Sequence, residues 1–228
     1  MPDAPQAATP VAVPTCIANG RFASGLKTLW PHGDSKIAGL TAAMIAQAPS
    51  LFAKYGITSD IVVANMMGEF TEECGGGFEV EENLNYRAAQ LHSQWPIHFT
   101  MDQALAMQHQ PRLIANQAYN GRMGNRPGTD DGWNFRGRDP AQSTGRDAYA
   151  LLTKLMGVDF LTHPELVNDP KYFFEVGIVD FVKICGCLPW AERDDEVNET
   201  RHLNGGLIGL QQREVSIRFW KHAFGINA

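Results

Sequence analysis

Val63, Met67, Phe70 and Cys74 fall at i, i+4, i+7 and i+11, and three consecutive glycines, Gly75–Gly77, follow at once. That spacing lays an apolar stripe along one side of an α-helix. Thr58 or Ser59 is placed to cap it, so a helix is predicted from Asp60 to about Cys74. Glu69 and Glu73 lie on the face beside the stripe, and the glycines end the helix. Such a stripe must be buried against other elements, and the other periodic segments are helical too. From Asp34 onward, Ile37, Leu40, Met44, Leu51 and Phe52 recur at near-helical spacing, with Pro49 expected to kink or split that helix. Gly145 to Met156 reads as a helix. Asp169 and Pro170 have the form of an N-cap and a first helical residue, opening an apolar run that ends at Gly186. A last helix spans Leu210 to Phe224.

Between these helices, residues 78–86 read as a loop or small hairpin. Residues 117–140, dense in Gly, Asn, Asp and Arg, read mostly as loop. The fold class is therefore mainly α with long polar loops, and the loops are where function is expected. Residues 1–30 are assigned to a Pro/Ala-rich N-terminal tail, extended or partly disordered, and residues 31–228 to a single folded domain.

Charge narrows the partners. The 25 acidic against 19 basic residues give a net charge of −6, which argues against nucleic acid as the main partner. Any polyanion has to be gripped by a local site. Cys16, Cys74, Cys185 and Cys187 lack zinc-ligand spacing and read as reduced thiols packed as small hydrophobes. The histidines form no ligand set, so no metal and no cofactor are expected. No apolar run reaches the length of a membrane span, so no membrane insertion is expected. The first residues lack a basic n-region. The protein is thus expected to be made in the cytoplasm without a signal peptide, so that work outside the cytoplasm would need another means of release; it is expected to be a monomer.

The segment EECGGGFEVEENLNY crowds Glu72, Glu73, Glu79, Glu81 and Glu82 together. A solvated acidic turn is one reading. The other starts from Glu73 in the last turn of an amphipathic helix. Burial and the negative helix end would both help it hold a proton there. Glu82, past the glycine hinge, could face it across a groove. Two carboxyls in unlike settings are what glycosidic cleavage needs: one protonates the leaving oxygen and the other activates water or attacks carbon.

The order of motifs adds to this. Glu73-Cys74-Gly75-Gly76-Gly77-Phe78 followed by Glu82-Asn83-Leu84-Asn85-Tyr86 resembles the HE-x-GG-F…EENLNY signature of glycoside hydrolase family 19, in its phage and bacterial chitinase-like endolysin branch. Ala115 to Tyr119 with Arg122-Met123-Gly124-Asn125, Asp131 to Arg138, Gln142 to Arg146, and Thr200 to Gly206 with Gly209, Leu210 and Arg213 resemble that branch's later blocks, in order. The resemblance spans about residues 58–214 and implies a lysozyme-like fold, two helical lobes flanking a central substrate cleft. It implies that Glu73 is the general acid, Glu82 the general base, and Thr144 the hydroxyl that helps hold the attacking water. Gln142 and Asn204 match sugar-binding positions, and Arg213 the arginine that orders the acidic cluster. The family inverts, so the carboxyls are expected roughly 6.5–9.5 Å apart.

The activity that the resemblance implies is hydrolysis of β-1,4 bonds in peptidoglycan, an endolysin or muramidase type of lysis, acting on the cell wall in the periplasm after release by a pore or secretion machine. A chitinase and a catalytically impaired glycan-binding relative are the alternatives, and a secreted toxin would add an immunity protein that plugs the cleft. Two departures lie in the sugar-binding wall and bear on substrate preference: Asp139-Pro140-Ala141 replaces Gly-[LI]-[IL], and Ala148 replaces Asn. A third, Glu72 in place of the family's His, could help Glu73 hold its proton or simply point to solvent. Trp133 and Phe135, beside Arg136 and Arg138, could stack on sugars and grip a glycan carboxylate, or Trp133 could anchor a core. Trp95, Trp190 and Trp220 read as core or rim packing, and Cys74 as packing.

Overall fold

A computed structural model describes residues 12–227. Of the tail expected over residues 1–30, residues 1–11 lie outside the described residues. Residues 15–30, placed with that tail from sequence, are instead structured: α1 (Thr15–Ala18) and α2 (Arg21–Leu29) bury Cys16, Phe22 and Leu26, and Trp30 follows them into the core. Aromatic residues explain the difference, since Phe22 packs on Phe52, Phe174 and Trp220. After α3 (Gly33–Lys36), α4 (Leu40–Tyr55) runs unbroken through Pro49. The proline costs one helical hydrogen bond, but Ala48, Leu51 and Phe52 are buried on either side of it and hold the helix together.

The striped helix is α5 (Asp60–Glu73), with Ser59 as its N-cap. It is the central element. Gly68 lets it cross the C-terminal helix so closely that an added Cβ would lie 2.6 Å from the Ile217 Cα. Trp30 and Trp220 both donate their indole N–H to the Thr71 hydroxyl at 2.8 Å. The end of α5 is thereby fixed from two sides. Gly76 and Gly77 do more than stop it. Both have positive φ, and Cβ atoms there would meet the Leu29 carbonyl oxygen at 2.6 Å and the Gly33 backbone at 2.9 Å.

A second, smaller apolar cluster contains Leu84, Leu91, Phe99, Ala104, Ile114 and Ala118. It is built by α6 (Ala88–Gln94), α7 (Met101–Met107) and α8 (Pro111–Tyr119), with α9 (Asp131–Asn134) packed on α8. The chain therefore forms two lobes. It leaves the large one between Val80 and Leu84 and returns between Trp133 and Phe135. The two crossings touch: Glu81 and Arg138 form an isolated antiparallel bridge, and Arg138 forms another with Ser143.

The large lobe resumes with α10 (Arg146–Met156). The helix expected to open at Asp169-Pro170 starts later, as α11 (Phe173–Val179), and runs into a π-helical turn over Asp180–Ile184. Asp169 spends its carbonyl on the amides of Tyr172 and Phe173, closing a turn ahead of the helix. The short α12 (Leu188–Ala191), α13 (Glu196–Asn204) and α14 (Leu210–Phe224) complete it, and α14 lies against α5. All four cysteines are unbonded, and Cys16, Cys74 and Cys187 are buried.

Candidate active site

Glu82 stands where the chain crosses between lobes. Its amide donates to the Gly137 carbonyl at 2.9 Å, and its Oε2 accepts from the Gly137 amide at 3.3 Å. Its Oε1 accepts from the Tyr119 hydroxyl of the small lobe. Gly137 marks how tightly this corner is assembled: a Cβ there would meet Gln142 Oε1 at 2.9 Å, Thr144 Oγ1 at 3.2 Å and Glu82 Cβ at 3.4 Å. Glu82, Gln142 and Thr144 thus converge on one backbone position. Gln142 donates from Nε2 to the Glu79 carbonyl at 2.9 Å, tying this corner to the turn that follows α5. Thr144 donates its own hydroxyl to the Gln142 carbonyl at 2.9 Å.

Glu73 ends α5 with its side chain 19% exposed, and its Oε1 accepts from Arg213 on α14. The same guanidinium pairs with Glu69, one turn earlier and fully buried, whose Oε1 also accepts from the Thr200 hydroxyl at 2.9 Å. One cation thus faces two carboxylates, and the cluster is neutral only when it holds a proton. Burial raises Glu69 above the usual carboxylate range, against the opposing pull of Arg213. Glu69 therefore keeps a proton to higher pH than an exposed acid would.

Two further acids lie deep. Glu199 is buried with neither carboxylate oxygen hydrogen-bonded among the described residues, and desolvation, then Glu69, push it well above its usual 4.5. Asp139, also buried, is pushed well above 3.8 by desolvation and then by Asp180. Folded, both hold protons that the unfolded chain releases near those usual values. The native state therefore binds more protons, and stability falls as pH rises from the unfolded values toward the raised folded ones. Glu199→Gln removes one such group. Urea unfolding between about pH 5 and 7 is expected to lose up to about 1.4 kcal/mol per pH unit of that decline, and an unchanged slope would contradict the assignment.

Not every candidate joins this corner. Trp133 is half-buried against the small-lobe core, and the Arg136 guanidinium sits 3.6 Å from the centre of its ring. Arg136 and Arg138, expected to be able to grip a glycan carboxylate, are buried and both pair with Glu81. Burial, then Arg138, brings Arg136 down to about 10. They brace the crossing point and offer no free cation. Asn204 is exposed at the end of α13 and donates to the Ile208 carbonyl at 3.2 Å. Glu72 lines a surface pocket with Gln211, Gln212 and Glu214. Burial pushes the Cys74 thiol up, and its sulfur donates to the Phe70 carbonyl, as packing requires. Among the described residues no group of three or more His, Cys, Asp or Glu is arranged to hold a metal ion. No described helix is long and apolar enough to cross a membrane.

The altered loop has a physical explanation. Asp139 sits at φ +64°, where the resembled motif has glycine. Aspartate tolerates that region when its side chain bonds locally, and Asp139 Oδ1 accepts from the Ala141 amide at 2.7 Å. Pro140 packs on Gly177, where a Cβ would approach it to 2.7 Å.

Sequence reasoning gave Glu69 a face but no role, and it passed over Tyr119 as a partner of Glu82. Glu69 was findable as the residue one helical turn before Glu73. Tyr119 closes one of the resembling blocks, but nothing local ties it to Glu82, 37 residues away. Tyr119→Phe keeps the ring and removes a hydrogen bond to a carboxylate. The expected result is a fall in kcat of about tenfold with KM within about twofold. An unchanged kcat would remove the phenol from the machinery.

A helical chain whose two lobes meet at the Glu82 crossing has the fold class of lysozyme-like glycosidases, and comparison with known proteins agrees. The chain is 32% identical over 188 residues to a glycosyl hydrolase family 19 domain-containing protein of Haemophilus influenzae, covering 81% of this chain and 88% of that protein. The protein is a member of glycosyl hydrolase family 19. No family model matches it. Among solved structures it resembles chitinase C from Streptomyces griseus HUT6037, with TM-score 0.57 and 18% identity over 90% of this chain and 92% of that one. A bacterial family 19 chitinase gives TM-score 0.57 and 21% identity over 90% and 95%. At these identities the structural likeness speaks for the fold, which is the mainly α, lysozyme-like one.

Proposed function

We propose that this glycosidase cleaves β-1,4 bonds of an N-acetylhexosamine polymer by single displacement, with peptidoglycan as its substrate. Glu73 donates a proton to the leaving glycosidic oxygen. Glu82 takes a proton from a water held with Thr144, and that water attacks the anomeric carbon from the opposite face. The bond to the leaving oxygen breaks as the bond to water oxygen forms, so the configuration inverts. The observation that carries this reading is the convergence of Glu82, Thr144 and Gln142 on Gly137, at the seam between lobes. Peptidoglycan is favoured by the resemblance of five ordered blocks to the phage and bacterial wall-lysis branch. Chitin is the second reading, favoured by the structural neighbours, which are described as chitinases, and by the net charge of −6, since chitin is neutral and the wall anionic.

The test offers purified protein to permeabilised Gram-negative cell walls and to chitin oligomers, with NMR of the first products. Faster release of α-anomeric ends from walls is expected. Faster cleavage of chitin would favour the second reading, and β-anomeric first products would exclude single displacement.

A further inference from the structure

A pocket of about 310 Å³ opens beside the proposed water-activating corner, lined by Trp95, Ile97, His98, Tyr119, Arg122 and Thr144, among others. It is continuous with that corner through two residues: Thr144 forms part of its wall, and Tyr119 holds Glu82 by its hydroxyl. Trp95, Tyr119 and the 93% exposed Ile97 give it an apolar face suited to the C–H side of a sugar ring. Its polar edge is different in kind. Arg122 and His98 contact each other, with Arg122 Nη1 3.1 Å from His98 Nε2, and no described carboxylate lies within ion-pairing distance of either. Arg112, Arg126, Arg136, Arg138, Arg146 and Arg213 each face a described carboxylate; of the arginines without one, Arg122 is the one that lines this pocket.

We propose that this pocket is a subsite for a carboxylate carried on a sugar next to the cleaved bond, with Arg122 as the residue that pairs with it. The proposal rests on the glycan-hydrolase reading and deepens it, because N-acetylglucosamine has no acid to offer. A muramic acid unit does, either as its 3-O-lactyl group or, when that group is amidated, through the attached peptide. Arg122 is pre-set for the task. Its Nη1 donates to the Ala118 carbonyl at 3.3 Å, which leaves Nη2 and Nε without partners among the described residues. Those two groups form the fork that a carboxylate meets with two parallel bonds.

The loop that carries Arg122 is held at its far end by buried Asn125, which donates to the Tyr119 carbonyl at 3.1 Å and accepts from the Arg146 amide at 2.8 Å. A guanidinium on a fixed loop loses little freedom on pairing. In a chain of net charge −6, such a spot also supplies the local grip that an anionic polymer needs.

The experiment measures binding by calorimetry in the Glu73→Gln chain, which keeps substrate intact. Three tetrasaccharides serve as probes: neutral chitotetraose, an alternating N-acetylglucosamine–N-acetylmuramic acid chain with free lactyl groups, and the same chain with peptide on those groups. At least one acid-bearing probe is expected to bind about tenfold more tightly than chitotetraose, and which one does so identifies the source of the carboxylate. Adding Arg122→Gln is expected to bring that ratio to about one, and Arg122→Lys to restore part of it. High salt should shrink the same ratio in the Glu73→Gln chain without any Arg122 substitution. Equal affinity for all three probes, binding to none, or a preference that survives Arg122→Gln would overturn the proposal. Cleavage is scored separately in the unsubstituted chain. A protein that prefers acid-bearing glycans yet cuts none of them ends the peptidoglycan-cleaving reading and leaves the carboxylate subsite standing.

Discussion

Glu73→Gln is expected to lower turnover by about two to four orders of magnitude on whichever polymer the protein cleaves. Glutamine has the shape of the acid but no proton to give, so the leaving oxygen departs unassisted. The fold should survive, because the amide oxygen can still accept from Arg213, which keeps its bond to Glu69. Glycan affinity should change little, and thermal unfolding should stay within a few degrees of the parent. The informative result is therefore a large loss of kcat beside an intact structure. Retention of kcat within about tenfold would remove Glu73 from the acid's place and assign that role to another group.

Arg213→Met is expected to cost about 3–5 kcal/mol of stability at neutral pH as well as activity. The methionine fills part of the volume, but Glu69 is fully buried and loses the cation that faces it. Its remaining partner, the Thr200 hydroxyl, cannot balance a charge. Folded Glu69 would then hold its proton more strongly than before, so the penalty should shrink as pH falls toward the unfolded carboxylate range. The double variant Glu69→Gln, Arg213→Met should recover most of the loss, since it removes the buried charge along with its partner. Urea titration of the three chains measures this. A single variant within about 1 kcal/mol of the parent would mean that Glu69 is already neutral without help from Arg213.

Helices with strong local signals were legible in the sequence. The stripe and Ser59 cap of α5, the start of α10 just after Gly145, and the full extent of α14 all follow from local rules. The small lobe was not, because its helices are short and polar and bury few side chains each. Its signals were present nonetheless: Thr100 and Gln103 form a capping box, and Pro111 stands at the first turn of α8. The start of α11 was misplaced because Asp-Pro opens turns as readily as helices, and here tertiary packing chose the turn. At the site, side chains close in sequence were readable as a group. Partners supplied from far along the chain, Tyr119 for Glu82 and the Glu81 pairing that occupies Arg136 and Arg138, depend on where the lobes meet.

Glu82 is gripped from both halves of the molecule, by the Gly137 backbone on one side and by the Tyr119 phenol on the other. Because Gly137 adjoins the large-lobe anchor Phe135 while Tyr119 packs in the small lobe, a rigid opening of the jaws would stretch the phenol contact first. Glu82 would then lose one support while its backbone mooring stayed in place. Opening and closing would thus change how firmly the proposed water-activating group is aimed, so the most poised form of the enzyme would also be the shut one.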